Sequence, residues 1–139
     1  MSDLTENPYP PLPPISKWLP VLLLAWLVPG GGHFYLKRNY RGVLLGGCVA
    51  LSFAIGLMMR GYMFQPMGGD LLTSIIYYGG FFADLSTGVL YFMTRWFGYE
   101  SADVAGHMVD YGTKFLVAAG LFNILAMVDA WEIAVGRKE

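Results

Sequence analysis

Residues 42–59 read GVLLGGCVALSFAIGLMM, an uncharged stretch of 18 residues that lies between Arg41 and Arg60. A helix needs about 20 mostly apolar residues to cross the hydrocarbon core of a bilayer. Glycine and alanine recur within the stretch, as they do in membrane helices that pack closely against other helices. The stretch therefore predicts a transmembrane helix, which we place at residues 41–60.

Three further stretches repeat this pattern on either side of the first. They are residues 18–36, residues 71–94 with Asp84 as their one acidic residue, and residues 115–128. They predict helices at 16–29, 71–94 and 114–135. The first of these is short, because Pro29 and the three glycines after it break the helix. We expect it to be tilted or re-entrant, or to continue through His33 and Tyr35 after a kink.

The composition supports a membrane setting. Of the 139 residues, 55% are hydrophobic and 14% are charged, and the mean hydropathy is +0.48. A typical soluble domain carries about 25% charged residues, so this chain lacks the polar side chains that an ordinary soluble surface needs. The composition thus excludes an ordinary soluble enzyme and a disordered chain. The net charge of −1 also excludes a nucleic-acid binder, since binding to phosphates needs clustered basic residues.

These patterns predict an all-α fold, a multi-pass membrane bundle of three or four transmembrane helices that form one domain over residues 16–139. Residues 1–15 contain five prolines and indicate an extended tail. Apolar side chains at Val104, Met108 and Tyr111 follow helical spacing, which predicts a short amphipathic helix on the membrane surface at 101–112. The basic residues of 37–41 favour a cytoplasmic first loop, with both termini on the outside.

Small residues mark one face of several predicted helices. They are Gly42, Gly46, Ala50 and Ala54 in the second helix, and Gly80 and Gly88 on either side of Asp84 in the third. Small side chains let helix backbones approach closely in lipid. Two interpretations stand: the faces pack the bundle internally, or at least one of them is a docking face for another subunit.

Asp84 is the sharpest single feature of the sequence, because a carboxyl group in the middle of a membrane helix is costly and marks a candidate functional site. Desolvation favours its neutral form. We expect a structural hydrogen bond to a neighbouring helix, with Asn123 as the partner, since both lie mid-span among small residues. Ion or proton handling and ligand binding are the alternatives.

The two histidines, His33 and His107, are candidate ligands for a metal, a haem or another pigment. Asp103, His107 and Asp110 share one helix face, which is a weak metal signal. We expect no cofactor, and we expect His33 to bond backbone carbonyls that Pro29 frees where it breaks the helix. The chain has no nucleophile elbow and no phosphate loop. Cys48 is its one cysteine, so it has no cysteine pair either. We therefore expect no enzyme activity.

Residues 29–36, PGGGHFYL, followed by the basic Arg41 and the helix-opening Gly42, resemble the two-transmembrane-helix domain family. The ending at 128–138 looks like a group of uncharacterised bacterial membrane proteins that share this turn. The resemblance implies a helical hairpin over residues 16–59 and implies no activity.

Three functions follow as expectations. The first is a non-catalytic accessory or scaffold subunit of a larger membrane complex, with energy-converting complexes among the candidates, in the inner membrane of a bacterial cell. The second is a small transporter or proton-handling protein centred on Asp84. The third is a pigment or haem binder that uses His33 or His107. The expected partners are the lipid bilayer and a membrane protein complex.

Overall fold

A computed structural model describes residues 11–100 and 106–137 of the chain. Within these ranges the chain is helical and holds no strand, which confirms the all-α class. Residues 11–14 of the expected tail have no regular structure, and its first ten residues lie outside the described part. The helices are α1 (Ile15–Leu27), α2 (Gly31–Tyr35), α3 (Asn39–Met58), α4 (Leu71–Leu85), α5 (Val89–Trp96) and α6 (His107–Ala134).

The two long helices, α3 and α6, run antiparallel through the whole bundle. At one end Arg41 of α3 reaches Asp129 of α6, and further along the Ser52 hydroxyl donates to the carbonyl of Phe115. At a rise of about 1.5 Å per residue, α3 is about 30 Å long and α6 about 42 Å. Both are long and apolar enough to cross a membrane.

The separate surface helix expected at 101–112 is wrong for its described part. Residues 107–112 form the first turns of α6 and continue into the predicted fourth span without a break. Gly112 stays in the helix because it packs against Gly61, where a side chain would not fit. Residues 101–105 lie outside the described part of the chain.

Helices α1 and α2 form a hairpin that is about half as long as the bundle. Helix α1 runs antiparallel to α6, with Val21 and Ala25 packed against Ala130. The chain reverses at Pro29 and at Gly30, whose φ of 80° is the left-handed conformation that glycine adopts readily. Helix α2 then returns beside α1, so the first predicted helix is followed by a reversal of the chain and not by a kinked continuation.

A second half-length hairpin replaces the single predicted helix at 71–94, so that prediction is wrong. Helix α4 runs parallel to α6 and ends at Leu85. Helix α5 then runs back towards the end of the bundle where α4 begins. The hydroxyls of Ser86 and Thr87 donate to the carbonyls of Ala83 and Asp84 at 2.6 Å each, which satisfies carbonyls that the helix end leaves open. Gly88, with a φ of 64°, completes the reversal.

The two hairpins enter the bundle from opposite ends and meet at their tips. The indole N–H of Trp26, at the end of α1, donates to the carbonyl of Leu85, at the end of α4, at 3.1 Å. Gly88 lies so close to Trp26 that a β-carbon there would overlap the Trp26 carbonyl oxygen. Because α1 spans about 20 Å and α4 about 22 Å, the two together cover the length of α6.

This arrangement changes the expected orientation of the chain. One end of the bundle holds the start of α1, the connection at residues 36–38 and the end of α6. This follows because Val21, Leu36 and Ala134 all pack around Ala130. The opposite end holds Arg60 and Glu100, whose contact links the end of α3 to the segment after α5. The first loop thus lies at the same end of the bundle as the start of α1 and the end of α6, which contradicts the prediction that it lies opposite them.

The small-residue stripe of the second predicted helix divides between two faces. Gly42 and Gly46 are buried against the Pro29–Gly30 turn, whereas Ala50 and Ala54 are exposed. A step of four residues advances about 400° around a helix with 3.6 residues per turn, so such a stripe drifts by about 40° per step. The residues of α3 that face α6 instead follow steps of three and four, at Val49, Phe53 and Gly56.

Candidate functional site

Polar side chains are buried where the two hairpin tips meet α6. Asp84, Thr87 and Asn123 are 0% exposed, and Ser86 is 8% exposed. Polar groups cost free energy when they leave water without hydrogen-bond partners, so each such group calls for a partner or a role. We call these four residues the tip cluster.

Asn123 of α6 binds backbone carbonyls of both hairpins. Its side-chain N–H₂ lies 2.6 Å from the Ser86 carbonyl oxygen, 3.3 Å from that of Ala25 and 3.4 Å from that of Trp26. These carbonyls belong to helix ends, where no intrahelical N–H reaches them. One amide therefore holds the ends of α1 and α4 against the middle of α6.

Asp84 has a different partner from the one expected. The backbone N–H of Phe64 donates to Oδ2 of Asp84 at 2.8 Å, so the predicted Asp84–Asn123 hydrogen bond is wrong. Two features explain the difference. The amide hydrogens of Asn123 are taken by the carbonyls of the broken helices, and the extended chain after Gly61 brings an N–H to Asp84.

Two oxygens of the tip cluster have no hydrogen-bond partner among the described residues. They are Oδ1 of Asp84 and Oδ1 of Asn123, and both are buried. An ionised carboxylate and an amide oxygen only accept hydrogen bonds, and both are also hard ligands for small cations. The cluster can therefore take a proton, which would turn the carboxylate into a donor, or hold a small cation.

The glycines predicted beside Asp84 have other neighbours than a facing helix. Gly80 packs under the ring of Phe64, in the extended segment that also supplies the N–H to Asp84. Gly88 lies in the reversal between α4 and α5, against Trp26. Gly120 of α6, which sequence reasoning missed, makes the closest approach to α4, at the carbonyl of Ala83.

A second polar cluster lies nearer the end of the bundle that holds the start of α1 and the end of α6. Nε2 of His33 lies 2.7 Å from Oδ2 of Asp129, and the Arg41 guanidinium lies 3.5 Å from the same oxygen. His33 is 0% exposed, and its Nδ1 has no partner among the described residues. The expected hydrogen bonds from His33 to backbone carbonyls are thus wrong, because the carboxylate of Asp129 takes that place.

The two histidines lie far apart. His107 is the exposed first residue of α6, whereas His33 contacts Asp129 of the same helix, 22 residues further along. At about 1.5 Å per residue the two positions are about 33 Å apart, so one cofactor cannot be held by both. The described residues contain no group of three or more metal-ligating side chains, and Asp103 of the weak metal signal lies outside them.

Several residues of the site escaped the sequence analysis although signals were present. Ser86 and Thr87 follow Leu85 and precede Gly88, and hydroxyl residues followed by glycine favour a helix end over a helix middle. Asp129 lies on the face of α6 that packs against α2, where it contacts His33. Nothing local indicates Phe64, because only its backbone acts.

The comparisons with known proteins concern nearly the whole chain. Neither a curated protein nor a solved structure matches it. A family model matches residues 20–139, which include both hairpins, the tip cluster and the His33–Asp129 pair. The chain therefore belongs to DUF6677, a family of unknown function.

Proposed function

We propose that the protein is an integral membrane protein whose tip cluster takes up and releases a proton or a small monovalent cation. The membrane setting is supported by α3 and α6, which have the length and hydropathy of membrane spans. It is also supported by the distribution of side chains. Of the seven largest fully buried side chains of the described residues, four are polar, whereas large apolar side chains such as Leu51, Ile75 and Leu125 are exposed.

A solvent of lipid accounts for this distribution. In water, polar groups remain outside and extended apolar surfaces are covered. In a bilayer, apolar side chains face the lipid, and ionisable groups face the interior of the bundle. Short helices at membrane depth are tolerated where protein covers their open ends, as Asn123, Ser86 and Thr87 do for the two hairpins.

One observation carries the proposal of ion or proton handling: the fully buried carboxyl of Asp84 lies at the meeting point of two broken helices, and one of its oxygens has no partner among the described residues. Broken helices that meet near mid-membrane form the ion and substrate sites of many transporters. The same elements are present here on a small scale.

The test is an ion flux in liposomes that contain the purified full chain and a pH-sensitive dye. We expect an imposed pH gradient to collapse faster with the protein than without it, and Asp84→Asn to remove the difference. Asp110→Asn, an exposed acidic residue on α6, is the control that keeps the flux. Flux that follows an imposed sodium gradient would assign the cation. No flux of either kind would overturn the proposal.

An accessory subunit is the second candidate, and one face of α3 favours it. Gly47, Ala50 and Ala54 are exposed on that face, and a β-carbon built on Gly47 meets nothing within 4 Å. Such a face allows another membrane helix to approach closely. On this candidate, Gly47→Leu should release the protein from a large assembly on native gels. Gly46 is unsuitable for this test, because it packs inside the chain against Pro29.

The expected location in a bacterial inner membrane belongs to this proposal. Of the described basic residues, Lys17, Lys37, Arg38, Arg41 and Arg137 lie at the end that holds the start of α1 and the end of α6. Basic residues are enriched on the cytoplasmic side of membrane proteins. The orientation that follows places both ends of the described chain in the cytoplasm.

A further inference from the structure

A groove between α3 and α6 opens on the surface of the bundle beside the His33–Asp129 pair. It has a volume of about 370 Å³ and is lined by Arg41, Leu44, Leu45, Leu125 and Asp129. This volume lies within the range of small-molecule sites. The three leucines form an apolar floor, and Arg41 and Asp129 lie at one end of the groove.

We propose that this groove binds one anionic phospholipid, with the lipid phosphate at Arg41 and an acyl chain along Leu44, Leu45 and Leu125. The proposal rests on the membrane setting proposed above and is independent of ion handling at Asp84. The groove offers the two surfaces that such a lipid needs, a cationic end and an apolar floor, in the order in which a lipid presents them.

Arg41 is placed to receive a phosphate. Its side chain is 39% exposed, and its contact with Asp129 is 3.5 Å long, which is an ion pair beyond hydrogen-bond length. A guanidinium group binds phosphate oxygens through two parallel N–H bonds. Asp129 also contacts His33 at 2.7 Å, so its carboxylate is not committed to Arg41 alone.

The surroundings of Arg41 add to the attraction for an anion. Lys37 and Arg38 are exposed within four residues of it, and among the described residues the acidic side chains at this end of α6 are Asp129 and the half-buried Glu132. The surroundings thus include three basic residues, counting Arg41 itself, and two acidic ones. Each basic residue near an anionic membrane surface contributes an attraction of about 1 kcal/mol.

The depth of the groove fits the headgroup level of a bilayer. Tyr35 and Tyr40, on either side of the basic loop, are exposed at 57% and 81%. Tyrosine is enriched where headgroups meet hydrocarbon. Leu44 and Leu45 lie further along α3 than Arg41, towards the middle of the bundle. An acyl chain would extend in this direction from a phosphate at Arg41.

The experiment is native mass spectrometry of the full chain in mild detergent, with phosphatidylglycerol or phosphatidylcholine added at equal concentration. We expect phosphatidylglycerol adducts to exceed phosphatidylcholine adducts. Arg41→Gln should reduce the preference about fivefold, the equivalent of about 1 kcal/mol. Arg95→Gln, which changes an exposed arginine at the opposite end, is the matched control and should keep the preference.

Two further arms separate the outcomes. Leu125→Trp fills the groove without changing a charge, and it should lower binding of both lipids while the thermal stability of the protein is retained. Excess inorganic phosphate should displace little lipid, because the leucine floor has no part in binding a free ion. The proposal that the groove binds an anionic phospholipid would be overturned by equal adducts of both lipids. It would also be overturned if Arg95→Gln reduced the preference for phosphatidylglycerol as much as Arg41→Gln does. A chain that is soluble without detergent would instead overturn the membrane setting.

Discussion

The side-chain amide of Asn123 lies 2.6 Å from the carbonyl oxygen of Ser86 and also reaches the carbonyls of Ala25 and Trp26. One side chain in the middle of α6 thus joins the open ends of two helical hairpins that enter from opposite ends. Carbonyls of this kind are costly when they are left unpaired away from water. The position of Asn123 therefore explains how a small chain holds two broken helices together.

Removing this amide should loosen both hairpins. Asn123→Leu keeps the approximate size of the side chain but leaves buried carbonyls without a donor, and we expect a loss of about 1–3 kcal/mol. Asn123→Asp should be at least as harmful, because a carboxylate cannot donate to carbonyls. Leu121→Ala, at an exposed position of the same helix, is the control. Thermal unfolding in mild detergent measures the loss, and equal stability of all variants would show that Asn123 does not hold the tips.

Two glycines offer a matched test of the meeting between the tips. Gly88 and Gly98 have similar φ values of 64° and 68°, but Gly88 also has a ψ of −121° and faces the carbonyl of Trp26, while a β-carbon on Gly98 meets none of the described residues within 4 Å. Gly98→Ala should cost about 1 kcal/mol from the left-handed backbone alone. Gly88→Ala should cost clearly more and lower the yield of folded protein. Similar losses in both variants would mean that α1 does not press on this turn.

The sequence analysis predicted the helical class and the two long helices because uncharged runs have a direct physical meaning in lipid. It placed the end of α1 correctly at Pro29, where a residue type marks the break. It missed the break after Leu85, because the runs on both sides are equally apolar and hydropathy cannot distinguish a helix from a hairpin. The hydroxyls of Ser86 and Thr87 were the available signal.

The partners within the site were harder to predict than its members. Asp84 and Asn123 stood out as polar residues in apolar runs, and both are fully buried. Their hydrogen bonds depend on backbone atoms of Phe64, Ser86 and Trp26, which no residue type reveals. The His33–Asp129 pair joins residues 96 positions apart, and only the fold brings them together.

That pair should behave as one unit in a double-mutant cycle. Removing one partner of a fully buried hydrogen-bonded pair leaves the other unsatisfied, which costs about 1–3 kcal/mol. Asp129 is 17% exposed, so we expect a smaller loss for His33→Ala or Asp129→Ala. The double variant should lose less than the sum of the single losses. Additive losses in thermal unfolding would show that the two side chains do not interact.

Cysteine labelling tests the re-entrant hairpins directly. In a Cys48→Ala background, single cysteines at Lys17, Lys37 and Arg137 should react with an impermeant maleimide from one side of the membrane. Single cysteines at Gly69 and Gly98 should react from the other side. A chain with four full crossings would instead place Lys17 and Lys37 on opposite sides, and that pattern would contradict the fold.

The central claim is that Asp84 gains and loses a proton, or exchanges it for a small cation, inside the bundle. Infrared difference spectroscopy of the protein in lipid measures this carboxyl itself, through its C=O stretching band. We predict a protonated carboxyl band that changes with bulk pH or with added sodium, that is absent in Asp84→Asn, and that persists in Asp110→Asn. A spectrum in which no band is lost in Asp84→Asn, or in which the Asp84 band ignores both pH and sodium, would contradict the claim and leave Asp84 a structural residue.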